Sequence, residues 1–269
     1  MNFSLARIGA RVAESHPYAW RLAWTAARRL PFLLPHDKSY NAFRHFVVLK
    51  PGGLFVDVGA NDGISALSFR RFDRSYRIFS LEPNRLLKPW LQEVKDSDAH
   101  FEYRMVGAGS AAAQVRFYVP VYRGVVLHTF ASANIESTRS TLAGSFGEAI
   151  AVACRIDAVD AEIVRLDDLN LDPTIIKIDA EGFDHDVLIG AVRTVEKCRP
   201  FVVVEIDDAH ASAIRDYFET RRYRLLRYDI ARDRFDPGTG AQRSGRSGER
   251  NLFAIPEEML PELASRTQT

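Results

Sequence analysis

The sequence has little that would build a covalent scaffold. Among 269 residues there are two cysteines, Cys154 and Cys198, far apart. A disulfide framework or a zinc ribbon needs more, so a reducing compartment is expected, and a cytoplasmic location with it. There is no excess of either charge: 36 Lys and Arg stand against 35 Asp and Glu. Neither nucleic acid nor an acidic polymer is called for as a partner. No run is long and apolar enough to span a bilayer. Met1 to Arg7 holds no continuous apolar stretch ahead of a small-residue cleavage site, and so does not read as a secretory signal. The first 35 residues do carry five arginines and a single acid, Glu14, a bias shared with organelle transit peptides. No internal repeat is present. What remains, 46% hydrophobic and 26% charged, is ordinary for a globular enzyme, and the length suffices for one large α/β domain.

The chain divides into an N-terminal helical lead, residues 1–50, and a domain over 51–269. On a helical wheel, Trp20 to Leu30 places Arg21, Thr25, Arg28 and Arg29 on one side. Trp20, Leu22, Trp24 and Leu30 lie among the apolar remainder, and Pro31 ends the helix. Docking of this helix on the domain is expected; peripheral membrane contact through residues 18–34 is the alternative. Five short β-rich runs follow: Leu54–Val58, Arg77–Leu81, Phe101–Val106, Thr174–Ile178 and Phe201–Ile206. They alternate with helical segments, which predicts a parallel sheet. Tyr223–Tyr228 and Asn251–Ile255 read as a closing antiparallel pair. Residues 111–165 read as an irregular middle, and 231–250, rich in Arg, Gly, Ser and Asp, as a mobile surface loop.

Three clusters carry chemistry. The first is Asp57-Val58-Gly59-Ala60-Asn61-Asp62-Gly63, leaving the first strand and entering a helix. Gly59 permits a sharp turn and Gly63 a helix start close to the sheet, leaving a floor for a nucleotide-like ligand. The spacing is not the G-x-G-x-x-G of pyrophosphate binders. Asp57 is placed to orient the loop or meet a cationic amino group, and Asn61 lies on the floor itself. The second cluster is Glu82-Pro83-Asn84. Glu82 stands 23 residues after Gly59, where an acid accepts from ribose hydroxyls, and Asn84 suits the N-cap of the next helix. No acid ends the third strand, so backbone near Gly107 is expected to meet the base of such a ligand. The third cluster is Lys177-Ile178-Asp179-Ala180-Glu181-Gly182. Alternation puts Lys177 and Asp179 on one sheet face. A buried lysine must be paired, and Asp57, Asp179 and Glu205 are the available acids. Asp179, Glu181 and Glu205 end strands where ligands of open α/β sheets bind, and can take a proton from an acceptor hydroxyl. They could also hold a divalent cation, but no histidine cluster accompanies them and no metal is expected. His128, His185 and His210 are weaker candidates; Ser132 and Asn134 could reach a substrate.

These segments, with Arg165-Leu166-Asp167-Asp168-Leu169 and Pro200-Phe201-Val202-Val203-Val204-Glu205, resemble the FkbM-type methyltransferase family over roughly residues 50–256. The resemblance implies a class I methyltransferase Rossmann-like fold, a mostly parallel seven-stranded sheet with an antiparallel closing strand. It implies S-adenosylmethionine as donor and a hydroxyl of a sugar, glycan or secondary metabolite as acceptor. Asp57, Gly59, Asn61, Gly63, Glu82, Asn84 and Gly107 are the expected donor contacts. Asp179 or Glu181 is the expected base, with Glu205 in support. Phe183 departs from the family pattern, which commonly has a further acid directly after the glycine. The rivals are a nicotinamide-dependent oxidoreductase or epimerase and a non-catalytic cofactor-binding protein. The sequence leaves the oligomeric state open.

Overall fold

The computed structural model describes residues 35–127, 130–180, 182–206, 210–237 and 251–267. The amphipathic helix expected over 20–30 lies outside them. The central sheet has eight strands. Five run parallel in the order β3 (Phe101–Arg104), β2 (Arg77–Leu81), β1 (Leu54–Val58), β8 (Ile175–Ile178) and β9 (Phe201–Glu205). Next to β9 lies β12 (Asn251–Pro256), antiparallel to both its neighbours, then β10 (Tyr223–Asp229). The eighth strand, β11 (Arg234–Pro237), pairs antiparallel with β10 at the edge. It falls where a mobile loop was expected. Phe235 decides the matter: its ring packs 5.6 Å from that of Phe46 and 5.5 Å from that of Phe253, so this part of the segment has an apolar side chain to bury.

Strand alternation sorts the core into two different faces. Phe55, Ile78, Phe101, Ile175, Phe201 and Phe253 point to one side. That side is covered by α1 (Phe43–Leu49), α2 (Ile64–Phe69) and α3 (Lys88–Ser97). Helix α1 comes from the lead. Its Phe46 stacks on Phe201 at 4.3 Å, and Phe43 meets Phe55 and Phe69 edge-on. Val56, Val58, Ile176, Ile178, Val202 and Val204 form the other, aliphatic face. There, side chains of α6 (Asp184–Ile189), α7 (Val192–Cys198) and α8 (Ala211–Glu219) complete the core. The chain ends, among the described residues, in α9 (Leu260–Thr267), whose Leu263 joins the aromatic side.

The middle of the chain is not irregular. It forms a second sheet ordered β4 (Gly107–Ala108), β7 (Arg155–Val164), β5 (Ala113–Tyr122) and β6 (Val125–Val126). Strands β5 and β7 pair antiparallel from Ala113↔Ile163 to Val121↔Arg155. Ala113, Val115, Phe117 and Val119 share one face of β5, and Gln114, Arg116 and Tyr118 the other. On the second face Arg116 makes a two-pronged ion pair with Asp160 across the ladder. Helices α4 (Ile135–Phe146) and α5 (Glu148–Ala153) sit between β6 and β7 around Tyr122, Leu142, Ile150 and Cys154.

Candidate active site

The site is built at the carboxyl ends of β1, β2 and β8. After β1 the chain turns through Gly59, at φ +75°, and Asn61, at φ +56°; asparagine is the non-glycine residue that tolerates this best. The amides of Gly59 and Ala60 both donate to the Leu81 carbonyl, tying the turn to β2. A Cβ at Gly59 would lie 1.9 Å from the Asp179 carbonyl oxygen. Glycine is therefore needed so that the loops after β1 and β8 can touch. Gly63 opens α2 at φ +85° and faces Val94 and Leu91 of α3 rather than a ligand.

Glu82 locks this floor. Its Oε2 accepts from the Asn61 amide and its Oε1 from the Asn84 amide, each at 2.8 Å. One buried carboxylate thus joins the loops after β1 and β2. Each oxygen keeps acceptor capacity for a further donor. Burial pushes its pKa up to about 7, against the opposing pull of the Asn84 and Asn61 amides and of Lys177. Asn84 caps the turn Arg85–Leu87 by accepting from the Leu86 amide at 3.1 Å.

Beneath the floor lies a buried charge cluster. Lys177 Nζ donates to the Gly59 carbonyl at 3.0 Å and stands 3.4 Å from both Asp57 and Asp179. Burial alone would lower the lysine pKa, but the charges of Asp179 and Asp57 outweigh it and raise it well above the ordinary value. Asp57 is fully buried and also accepts from Ser65 and, at 3.3 Å, from Ser80. The Asp179 side chain is 39% exposed. Lys177 therefore connects a purely internal acid to one that reaches the surface of the site.

Above the floor is a cavity of about 470 Å³. It brings together Gly59, Asn61, Glu82, Asn84, Gly107 and Asp179 from the sequence-derived set, along with Ser132 and Asn134. Asp57 and Gly63 lie behind the lining. Glu205, at the end of β9 and in register with Asn251, is not among the described lining residues. Glu181 and His128 fall outside the described residues. His185 stacks on His210 with ring centroids 6.2 Å apart. Sequence reasoning missed the apolar wall: Val115, Phe117 and Val119 of β5 with Ile163 of β7. It also missed Asp186, which accepts from Ser110 at 2.8 Å. The period-2 run from Ala113 to Val121 was the available signal.

Two amide atoms show what the lining accommodates. Asn61 Oδ1 and Asn84 Nδ2 are buried with no hydrogen-bond partner in the protein. Orphaned buried polar atoms are costly, and a ligand that fills the cavity would satisfy them. One is an acceptor and one a donor, as the hydroxyls and ring nitrogens of an adenosine require. A Cβ at Gly107 would lie 2.6 Å from Ile163 Cδ1 on the cavity wall and 3.4 Å from Pro83, so a bare backbone suits this position. The residues present fit S-adenosylmethionine.

A parallel sheet with one inserted antiparallel strand, and a nucleoside-sized cavity at its carboxyl edge, defines a class I methyltransferase fold. Residues 57–225 match the family described as the methyltransferase FkbM domain. The chain belongs to that family of S-adenosylmethionine-dependent methyltransferases. Among solved structures, it is similar to a methyltransferase FkbM from Methylobacillus flagellatus KT, with 18% identity and a TM-score of 0.48. That alignment covers 76% of this chain and 43% of the other, so the chain spans under half the length of that relative. A TehB-like SAM-dependent methyltransferase from Corynebacterium glutamicum ATCC 13032 Kitasato is 12% identical, with TM-score 0.39 and coverage of 90% and 96%. Aeropyrum pernix fibrillarin, in complex with natively bound S-adenosyl-L-methionine, is 11% identical, with TM-score 0.38 and coverage of 80% and 76%. No curated protein gave a match.

Proposed function

We propose that the protein is an O-methyltransferase that moves a methyl group from S-adenosylmethionine to a hydroxyl of a small molecule or glycan. One observation carries the reading: a single cavity joins the Gly59, Asn61 and Glu82 floor to the Asp179 carboxylate. Glu82 and the two orphaned amides supply acceptors and a donor for an adenosine. The Asp179 carboxylate, joined by Glu82 in its ionised form, favours a cationic ligand over an anionic one. When bound, the donor supplies an electrophilic methyl on a sulfonium, which needs positioning and no activation.

The acceptor hydroxyl needs a proton acceptor as its oxygen bonds to carbon. Asp179 is that group in this proposal. It reaches the cavity, and Lys177 behind it fixes its direction. Its neighbour Glu181 is the substitute, with Glu205 in support from the next strand. The rigid floor and the apolar β5 wall hold the reactants together and keep water out. Two measurements test the reading. S-adenosylhomocysteine is expected to raise the melting temperature, since a ligand that binds only the native state stabilises it. Labelled methyl from the donor is expected to enter a hydroxylated acceptor from fractionated glycans and small metabolites. A folded protein showing no thermal shift at millimolar ligand would sink the proposal.

A further inference from the structure

The adenine of the donor carries one group that the floor leaves unmatched. Asn61, Glu82 and Asn84 serve hydroxyls and ring nitrogens, but the exocyclic 6-amino group is a donor and needs an acceptor at the edge of the base. The segment that leaves β3, Met105-Val106-Gly107-Ala108-Gly109-Ser110, holds no acid to supply it. The fold brings one there from a distant part of the chain. Asp186, in the first turn of α6, lines the cavity together with Gly107, Ala108, Gly109 and Ser110. Two contacts join these segments. Ser110 Oγ donates to Asp186 Oδ1 at 2.8 Å. Just past the end of the same helix, a Cβ at Gly190 would lie 2.0 Å from the Gly109 carbonyl oxygen, so the helix is docked directly on the segment after β3.

The start of α6 is held as firmly as its end. The buried Asp184 carboxylate accepts from the Ala180 amide at 3.0 Å and from the Gly182 amide at 3.2 Å. The Val187 amide donates to the Phe183 carbonyl at 3.0 Å. Asp186 therefore stands on an element fixed at both ends. A carboxylate has about four lone-pair sites, so the one bond from Ser110 leaves Asp186 able to accept from a ligand in the cavity. Phe183, three residues earlier, lines the same cavity and is 46% exposed. An aromatic ring and a carboxylate on one wall suit a flat heteroaromatic base that carries an amine. We infer that Asp186, oriented by Ser110, accepts from the 6-amino group of the donor's adenine and is the residue that makes the site specific for that base. This rests on S-adenosylmethionine as the donor and names the side chain that reads it.

Calorimetry with two ligands tests it: S-adenosylhomocysteine and its 6-deamino analogue, the purine riboside in which hydrogen replaces the amine. The wild-type protein is expected to bind S-adenosylhomocysteine at least about tenfold more tightly, the worth of one hydrogen bond to a charged group. Asp186→Leu and Asp186→Ala should both bring the two affinities to within about twofold of each other. They should do so by weakening S-adenosylhomocysteine and leaving the analogue as it was. The analogue is the internal control, because a substitution that merely disturbs the cavity weakens both ligands alike. The alanine variant guards against a leucine variant that crowds the site. Equal affinities in the wild-type protein, a wild-type ratio preserved in both variants, or a parallel loss of both affinities in both variants would overturn the inference and hand the amine to backbone carbonyls. Failure of the folded wild-type protein to bind either ligand would instead bring down the donor assignment beneath it.

Discussion

Glu82 shows how one side chain can carry both architecture and affinity. Its carboxylate gathers two loop amides, yet burial makes its charge expensive, and the balance sets its pKa at about 7 against 4.5 for an ordinary glutamate. The folded protein therefore holds a proton that the unfolded chain releases. This group's contribution to stability is complete below about pH 4.5 and is lost as pH rises through about 7. The loss is at most about 3 kcal/mol. Urea denaturation of wild type and Glu82→Gln from pH 5 to 8 should show a wild-type decline that the variant lacks; parallel profiles would refute the assignment. If ribose hydroxyls donate to the ionised form, binding of S-adenosylhomocysteine should also tighten from pH 6 to 8 and release a proton, which calorimetry in two buffers detects. Lys177 offers a second test. Lys177→Met strands Asp57 without its cation, and loss of one partner from a buried pair costs about 3–5 kcal/mol. Adding Asp57→Asn should return most of that stability, since the stranded charge is then gone.

Loops and strands show which features local chemistry can announce. The turn after β1 is legible because its requirements are local: positive φ at Gly59 and Asn61, and a carbonyl of Asp179 where a Cβ would go. Gly59→Ala is expected to cost at least about 1–3 kcal/mol through overpacking, and to displace the Asp179 loop. Donor affinity and turnover should both fall, measured by calorimetry and labelled transfer; wild-type values would show that the loops need not touch. The parallel strands were legible for a similar reason, since continuous apolar runs such as Phe201–Glu205 are buried on both faces. The β5–β7 hairpin was not. Its partner strands lie more than thirty residues apart, and β7 reads Arg-Ile-Asp-Ala-Val-Asp-Ala-Glu-Ile-Val, with small or charged residues where a strand signal would need bulk. Pairing with β5 supplies what that segment lacks by itself. The edge strand β11 escaped notice because one residue, Phe235, anchors it. The cavity was likewise half visible: its floor is a motif, and its apolar wall shows only as the period-2 run of β5, which by itself does not tell what that face lines.

At the scale of the molecule, the lead and the domain share a core from residue 38 onward. Tyr40, Phe43 and Phe46 are buried among strand residues on the aromatic side of the sheet. Phe43→Ala is expected to cost about 3–5 kcal/mol. Removal of residues 1–50 should leave a chain that does not fold cooperatively, whereas removal of 1–34 keeps every one of these aromatic partners. Thermal unfolding followed by circular dichroism separates the two cases, and a cooperative transition without residues 1–50 would contradict the shared core. The second sheet is joined differently. Gly107 and Ala108 lie beside Ile163 and Val164 in parallel register, and the Gly109 amide donates to the Val164 carbonyl at 3.0 Å. The chain thus leaves the main fold and returns to it at nearly the same point. Everything from Ser110 to Glu162 is an excursion with its entrance and exit side by side, so a stretch of different length or sequence could be grafted between them without shifting β1, β2 or β8. Evolution, or an engineer, could exchange the wall facing the acceptor and leave the donor floor as it stands.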